Sequence, residues 1–122
     1  MLLNDFFTIT GLQREGDSIR ASLKLNASHK IFEGHFPGLP VVPGACMMQM
    51  LKEIVEAASG MGLQLKRADH LKFTALIDPR NVGSLDMECT LSAAADANWL
   101  VSAQLSNDGK ICFKFKGLFI FR

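Results

Sequence analysis

Apolar and polar residues alternate along several stretches of the chain, which is the two-residue period of a β-strand with one face in water. The clearest alternating stretches are residues 19–25, 84–91, 99–105 and 111–121. Two further strands are predicted at Leu3–Leu12, which is broken at Gly11, and at Ala68–Leu76. The tripeptide Asn107-Asp108-Gly109 is a strong hairpin signal between the last two strands. The pattern therefore predicts five or six strands, mostly antiparallel.

A single long helix is predicted after the second strand, because apolar residues there recur at spacings of three and four. These residues are Met47, Met50, Leu51, Ile54, Val55 and Ala58. The helix is expected to begin at Pro43 and to end at Gly60. Val42 would then occupy the N-cap position, and it has no side-chain oxygen for the first free amides. One apolar helix among many strands predicts an α+β class, with the sheet wrapped round the helix in a single domain, residues 1–122.

Composition excludes several classes of function. Hydrophobic residues make up 48% and charged residues 20% of the chain, and the formal net charge is +1. Without a run of lysine or arginine, this balance argues against a nucleic-acid partner. No apolar stretch has the length of a membrane span, and the N-terminus lacks the features of a signal peptide. Three distant cysteines without a Cys-x-x-Cys motif predict reduced, buried thiols in a cytoplasmic protein and give no support for a metal site.

A loop rich in proline and glycine, Gly34–Gly44, carries the most notable histidine, His35. Proline restricts the backbone and glycine lets it turn, so the loop is able to hold the imidazole in one place. An imidazole beside uncapped helix amides suits a carbonyl oxygen that gains negative charge during a reaction. The simpler alternative is that water satisfies the amides and His35 is a surface histidine. His29 is predicted to be an exposed loop residue, and His70 to lie at a strand edge or on a polar face.

The segment His35-Phe36-Pro37-Gly38, followed by Pro40 and Pro43-Gly44, resembles the HFPG-x-P-x-x-PG signature of the bacterial 3-hydroxyacyl-(acyl carrier protein) dehydratases. Flanking segments that extend the resemblance are Phe32-Glu33-Gly34, Lys72-Phe73 and Ile77-Asp78-Pro79. The resemblance implies the hot-dog fold of that family, an antiparallel sheet of five to six strands wrapped round one long central helix. It further implies a homodimer with a continuous sheet and an active site between the subunits.

The chain departs from the family on the central helix. Members carry a carboxylate fourteen residues after the histidine and commonly a glutamine four residues later. Here the two residue types are exchanged, as Gln49 and Glu53. Gln49 cannot give up a proton, but Glu53 lies one turn further on and leans back toward it. The alternative is that both belong to an ordinary polar face, on which Lys52 and Glu56 form a routine pair.

The mechanism that the resemblance implies is elimination of water from a 3-hydroxyacyl thioester on acyl carrier protein or coenzyme A, in fatty acid or related lipid synthesis. His35 would remove the proton next to the carbonyl, and the Gly44 amide would stabilise the enolate-like oxygen. The leaving hydroxyl would be protonated by Glu53, directly or through a water held by Gln49. Phe36, Pro43 and Met47 would contact the substrate, although Met47 also suits a plain core. No bound cofactor or metal is implied.

Two other functions remain open at this point. A hot-dog acyl thioesterase would hydrolyse similar thioesters, but such enzymes use an acidic residue to activate water and do not generally carry the HFPG loop. A non-catalytic subunit that binds acyl thioesters or acyl carriers would keep the fold and lose the acid. The substitution at Gln49 fits this second alternative best.

Overall fold

The computed structural model describes residues 1–122, which form six strands, two α-helices and one turn of 3-10 helix at Pro79–Asn81. In chain order the elements are β1 (Phe7–Glu15), β2 (Ser18–Leu25), α1 (Ile31–Gly34), α2 (Gly44–Ser59), β3 (Leu63–Phe73), β4 (Leu85–Ala93), β5 (Asn98–Asn107) and β6 (Lys110–Phe121). The strands form one sheet in the order β1-β2-β4-β5-β6-β3, and every neighbouring pair is antiparallel. The α+β architecture with one long helix after the second strand is therefore confirmed.

Alternating residues of the inner strands face the helix, as their sequence pattern predicts. In β2 the buried positions are Ile19, Ala21 and Leu23, and β4 repeats this alternation over Leu85–Leu91. The predicted hairpin joins β5 to β6, where Asp108 and Gly109 have positive φ angles of 51° and 80°. Two consecutive positive φ angles match the twist of the strands on either side.

The first and third strands differ from their predicted bounds. β1 begins at Phe7 because the residues before it form a turn, in which the Phe6 amide donates to the Leu2 carbonyl at 2.7 Å. The strand continues past Gly11, because a bulge there absorbs the irregularity that was expected to end it. β3 spans Leu63–Phe73, and two register shifts within it interrupt the alternation that would have revealed its start.

Helix α2 begins at Gly44 rather than at Pro43, so the N-cap is Pro43 and the expectation of Val42 is wrong by one residue. Pro43 has an extended backbone, with φ −63° and ψ 145°, and offers no side-chain cap. At the other end Gly60 adopts a left-handed φ of 72°, and its amide donates to the Glu56 carbonyl. The apolar face of α2 packs into one core cluster with the inward residues of the sheet.

Two strands are left at the edges of the sheet, β1 and β3. Ten of the eleven residues of β3 are exposed, which includes the large apolar side chains Leu65, Leu71 and Phe73. Neither helix has the length and apolar character needed to cross a lipid bilayer.

Candidate functional site

The loop before α2 is closed by hydrogen bonds between His35 and Val41. The Val41 amide donates to the His35 carbonyl at 2.9 Å, and the Nδ1 atom of His35 lies 3.3 Å from the Val41 carbonyl oxygen. A carbonyl oxygen only accepts, so Nδ1 carries a hydrogen, and in the neutral tautomer that this bond selects Nε2 keeps its lone pair. Since Nε2 has no hydrogen-bond partner within the chain, the ring presents a free basic nitrogen.

A tight turn directly after His35 helps to hold the imidazole in place. The amides and carbonyls of Phe36 and Leu39 bond reciprocally at 3.0 and 2.9 Å, and Gly38 supplies the positive φ of 76° that this turn requires. The Phe36 ring stacks on the His35 ring with centroids 4.3 Å apart and an interplanar angle of 22°. His35 is half-buried, while 52% of Phe36 is exposed, so the apolar face of this pair is open to a ligand or a partner chain.

The loop is also fastened to the core just before the helix. Val41 and Val42 are buried, and the Val42 amide donates to the carbonyl of buried Ile77 at 2.9 Å. The stretch that includes Ile77 was noticed in the sequence only as part of the family resemblance. Its structural effect is to hold the end of the histidine loop against the segment that follows β3.

The N-terminus of α2 has two backbone amides without an acceptor, those of Gly44 and Ala45. The first intrahelical donor is Cys46, whose amide bonds to the Pro43 carbonyl at 3.0 Å. The expectation of uncapped amides is thus confirmed. A β-carbon added at Gly44 would lie 2.6 Å from Cζ of Phe73, so glycine is needed for the close approach of this ring. Free N–H groups and the positive end of the helix dipole favour an oxygen that bears negative charge.

Gln49 and Glu53 are in direct contact, as their spacing predicts. The Nε2 atom of Gln49 donates to Oε2 of Glu53 at 2.8 Å. Glu53 is only 1% exposed, and its carboxylate also accepts from the Leu2 amide at 2.9 Å and from the Leu3 amide at 2.7 Å. The turn at the start of the chain is therefore bound to the middle of the helix through this side chain.

The remaining predicted site residues occupy separate environments. No hydrogen bond joins His35 to Gln49 or to Glu53 within one chain. Met47 is 3% exposed and belongs to the core cluster, while Pro43 is half-buried at the helix start. The routine pair on the polar face is present, with Nζ of Lys52 4.0 Å from Oε2 of Glu56.

The other two histidines, His29 and His70, lie outside the candidate site. His29 lies in a loop, as predicted, but the expectation that it is exposed is wrong, because only 20% of its side chain is exposed. Its Nδ1 accepts from the Ile31 amide at 3.1 Å, and its Nε2 lies 3.1 Å from Oδ2 of Asp5. His70 is exposed on the edge strand β3, as predicted.

The three cysteines, Cys46, Cys89 and Cys112, are free and buried, as their spacing predicts. Burial raises the pKa of the Cys89 thiol to about 12, and the neighbouring charge of Glu88 adds to the shift. Burial also raises the pKa of Cys46 and Cys112. No group of three or more His, Cys, Asp or Glu side chains is arranged to hold a metal ion.

Several contributors to the site had no signal in the sequence. Val41 acts through its backbone carbonyl, and Leu2 and Leu3 act through their amides, which every residue type possesses. Phe73 belongs to the Lys72-Phe73 segment of the family resemblance, but nothing in the sequence indicated that its ring covers Gly44. These contacts become visible only in the folded structure, where residues distant in sequence lie close together.

Comparison with known sequences identifies a family. A profile of the ApeI-like family, described as ApeI dehydratase, matches residues 12–114. The chain is 26% identical over 112 residues to the 3-hydroxyacyl-(acyl-carrier-protein) dehydratase FabZ of Lactobacillus helveticus (strain DPC 4571), covering 86% of this chain and 74% of that protein. It is 31% identical over 97 residues to the FabZ of Alkaliphilus metalliredigens (strain QYMF), covering 73% and 63% respectively.

Solved structures show the same fold. The dehydratase heterocomplex ApeI:P from Xenorhabdus doucetiae contains a chain that matches with a TM-score of 0.74 at 16% identity, covering 90% of this chain and 95% of that chain. A mutant thioesterase from Pseudomonas aeruginosa matches with a TM-score of 0.62 at 10% identity, covering 90% and 78%. The hot-dog fold that the loop resemblance implied is therefore confirmed.

Proposed function

The chain belongs to the ApeI-like dehydratase family, and we propose that it eliminates water from a 3-hydroxyacyl thioester or adds water to the matching 2-enoyl thioester. One observation carries this proposal. The hydrogen bond from Nδ1 of His35 to the Val41 carbonyl leaves Nε2 as a free base, in a loop that runs directly into the unbonded amides of Gly44 and Ala45. A base and an oxyanion site are the two elements that removal of a proton beside a thioester carbonyl requires.

In the proposed reaction, Nε2 of His35 takes the proton from C2 of the substrate. The electrons of that C–H bond move toward the thioester oxygen, where the Gly44 amide and the helix dipole stabilise the negative charge. They return to form the C2=C3 double bond as the C3–O bond breaks. The leaving hydroxyl takes that proton back from the imidazolium of His35 and departs as water, which returns the imidazole to its neutral form.

Gln49 is proposed to hold the departing hydroxyl. Its amide oxygen accepts the hydroxyl hydrogen, which directs the oxygen lone pairs of the substrate toward the protonated imidazole. Glu53 belongs to the same site through its contact with Gln49, and the assay below tests the sequence-based expectation that Glu53 protonates the hydroxyl directly. Phe36 and Pro43 are proposed to contact the thioester arm, and Met47 the acyl chain.

The proposed carrier of the acyl group is acyl carrier protein, since the FabZ relatives are named as dehydratases of acyl-carrier-protein substrates. A coenzyme A thioester offers the same reacting atoms and is the second choice. The reaction needs no bound cofactor or metal, because the acid, base and oxyanion roles are met by the residues described. Three buried free thiols support a reducing compartment such as the cytoplasm.

We propose a homodimer that joins two β3 strands into a continuous sheet, with the site formed between the subunits. Two features of the single chain support this. The edge of β3 exposes Leu71 and Phe73 by 47% and 48%, and Leu76 just beyond it by 82%, a combination that favours pairing with another strand. The same arrangement would bring His35 of one protomer toward Gln49 of its partner.

The test of the proposed function is an assay of purified protein with 2-enoyl and 3-hydroxyacyl thioesters on both carriers, followed by ultraviolet absorbance and mass spectrometry. We expect reversible hydration in the wild type and its loss in His35→Ala. Hydrolysis to the free acid without hydration would replace the proposal with a thioesterase. If the wild type catalyses neither hydration nor hydrolysis, the proposed dehydratase activity is rejected.

A second function is favoured by one specific observation, the absence of a free carboxyl group where the resemblance places one on the helix. Gln49 stands where the resemblance places the acid, and the oxygens of Glu53 are already bonded to three N–H groups. An accessory subunit that binds acyl thioesters would keep this arrangement. Activity that appears only in the variant Gln49→Glu would support a degenerate site and favour this function over the enzymatic one.

A further inference from the structure

Glu53 is the only charged side chain in the core, and all of its hydrogen bonds come from N–H groups. Oε1 accepts from the amides of Leu2 and Leu3 at 2.9 and 2.7 Å, and Oε2 accepts from the Leu2 amide at 2.9 Å and from Nε2 of Gln49 at 2.8 Å. Hydrogen bonds from several donors are what a buried carboxylate needs in place of water. Protonating either oxygen would put a hydrogen against one of these donors.

The contact with Glu53 determines how the Gln49 carboxamide is turned. An ionised carboxylate only accepts hydrogen bonds, so the nitrogen of the amide, and not its oxygen, must face Glu53. The amide oxygen of Gln49 then points away from that contact. It accepts no hydrogen bond within the chain, and it is not among the buried polar atoms that lack a partner. Gln49 therefore presents an accessible acceptor oxygen, while Glu53 engages one of its two N–H groups.

We infer that Glu53 is a positioning residue, which fixes the Gln49 carboxamide with its oxygen toward the reacting hydroxyl and does not itself transfer a proton. This inference rests on the proposed function, in which Gln49 accepts the hydrogen of the substrate hydroxyl. The amides of Leu2 and Leu3 complete the arrangement, because their hydrogen bonds to both carboxylate oxygens hold the side chain in place. Through these two amides, the first residues of the chain help to position Glu53 and, through it, Gln49.

The inference predicts different outcomes for a single and a double substitution. In Glu53→Gln the introduced side chain keeps one oxygen for the Leu2 and Leu3 amides and turns its NH2 group toward Gln49. That group donates to the Gln49 oxygen, so the Gln49 amide rotates by half a turn and presents hydrogen-bond donors to the site. The double substitution Gln49→Glu with Glu53→Gln exchanges the two groups, so that an amide again donates to a carboxylate across the same pair of positions.

The first measurement is NMR of the side-chain amide protons of glutamine in the substrate-free protein. We expect one Gln49 proton in the wild type to be shifted downfield by its bond to the carboxylate, and this shift to be lost in Glu53→Gln. The matched control is Glu56→Gln, one turn along α2, where the carboxylate also holds a backbone amide, that of Leu63 at 2.8 Å, but does not contact Gln49. An unchanged Gln49 signal in Glu53→Gln would overturn the inference, whether or not the protein is active.

The second measurement is the pH dependence of hydration kinetics. A positioning role predicts that Glu53→Gln lowers kcat about 10- to 100-fold with little change in KM, the loss of one well-placed hydrogen bond to the reacting group. The shape of the pH profile should stay that of the wild type, and the double substitution should recover activity relative to Glu53→Gln. Loss of the alkaline limb of the profile in Glu53→Gln would identify Glu53 as the acid and overturn the inference. If wild type and all variants are inactive, the proposed function fails while the NMR result still decides the role of Glu53.

Discussion

His35 and Val41 are joined by two hydrogen bonds that run in opposite directions, from the Val41 amide to the His35 carbonyl and from the imidazole Nδ1 to the Val41 carbonyl. The first bond closes the loop, and the second orients the ring. The same pair of residues therefore determines both where the imidazole lies and which of its nitrogens is basic.

The variant His35→Asn separates these two effects. Its amide nitrogen stands at the position of Nδ1 and is able to donate to the Val41 carbonyl, but it has no group at the position of Nε2. We expect hydration activity to fall at least about 100-fold, the usual contribution of a general base, while the free energy of unfolding changes by less than about 0.5 kcal/mol. Steady-state kinetics and denaturant unfolding check the two expectations. Retention of activity in His35→Asn would remove the imidazole from the mechanism.

Adding a methyl group at Gly44 should displace Phe73 from the start of α2. The added carbon would lie 2.6 Å from the ring, closer than such atoms approach in proteins. Because Phe73 is 48% exposed and its ring has room to move, we expect a cost near the lower end of the about 1–3 kcal/mol that overpacking causes. We expect Gly44→Ala to lower both stability and kcat, and the additional change Phe73→Ala to restore part of the stability. Gly34→Ala is the control, since nothing lies within 4 Å of its added carbon. Equal unfolding midpoints for the two alanine variants would contradict this account.

Removing the Glu53 carboxylate should release the start of the chain. In Glu53→Ala the amides of Leu2 and Leu3 lose their acceptor, at a cost of about 1–3 kcal/mol for each donor left without a partner. Hydrogen exchange at these two amides is expected to become fast, while exchange at Leu63 stays slow. Glu56→Ala should give the reverse pattern, because Glu56 holds the Leu63 amide. Unchanged exchange at Leu2 and Leu3 in Glu53→Ala would show that other contacts hold this segment.

Stability should decline in alkaline solution, because burial raises the pKa of Cys89 from 9.0 to about 12. The neutral thiol is the form that the fold favours, so its contribution is fully present below pH 9 and is lost as the pH rises toward 12. The free energy of unfolding should fall by up to about 1.4 kcal/mol per pH unit in this window. Denaturant unfolding of the wild type and of Cys89→Ala measures the difference, and the decline should be shallower in the variant. Parallel curves would contradict the assignment to Cys89.

A charge on the β3 edge should prevent dimerisation. Leu71 is 47% exposed on this edge, and Leu12 is 40% exposed on the other edge strand, β1. If two β3 strands pair, Leu71→Arg should yield a monomer with little or no activity, whereas Leu12→Arg should remain a dimer. Sedimentation velocity measures both masses. A wild-type monomer, or a dimer that only Leu12→Arg disrupts, would contradict the proposed interface.

Much of the fold follows from local patterns, and the exceptions have identifiable causes. The bounds of β3 were misplaced because two register shifts between Leu65 and His70 break the alternation on which the prediction depends. β1 was misplaced because its first predicted residues form a turn that is fastened by Glu53. His29 was expected to be exposed, but it is half-buried beside Phe6, with ring centroids 5.4 Å apart. In each case a contact from elsewhere in the chain overrides the local signal.

The sequence by itself determined the elements, the class and the position of the candidate base, because periodicity, turn residues and the HFPG loop act over a few neighbouring residues. It also placed Gln49 and Glu53 on one helix face, since that relation is internal to a helix. Only the tertiary structure decided what surrounds them. Glu53 meets the amides of Leu2 and Leu3 across about fifty residues of sequence, and backbone N–H groups are the same in every residue. The role of this carboxylate therefore becomes visible only where the folded chain brings its donors together.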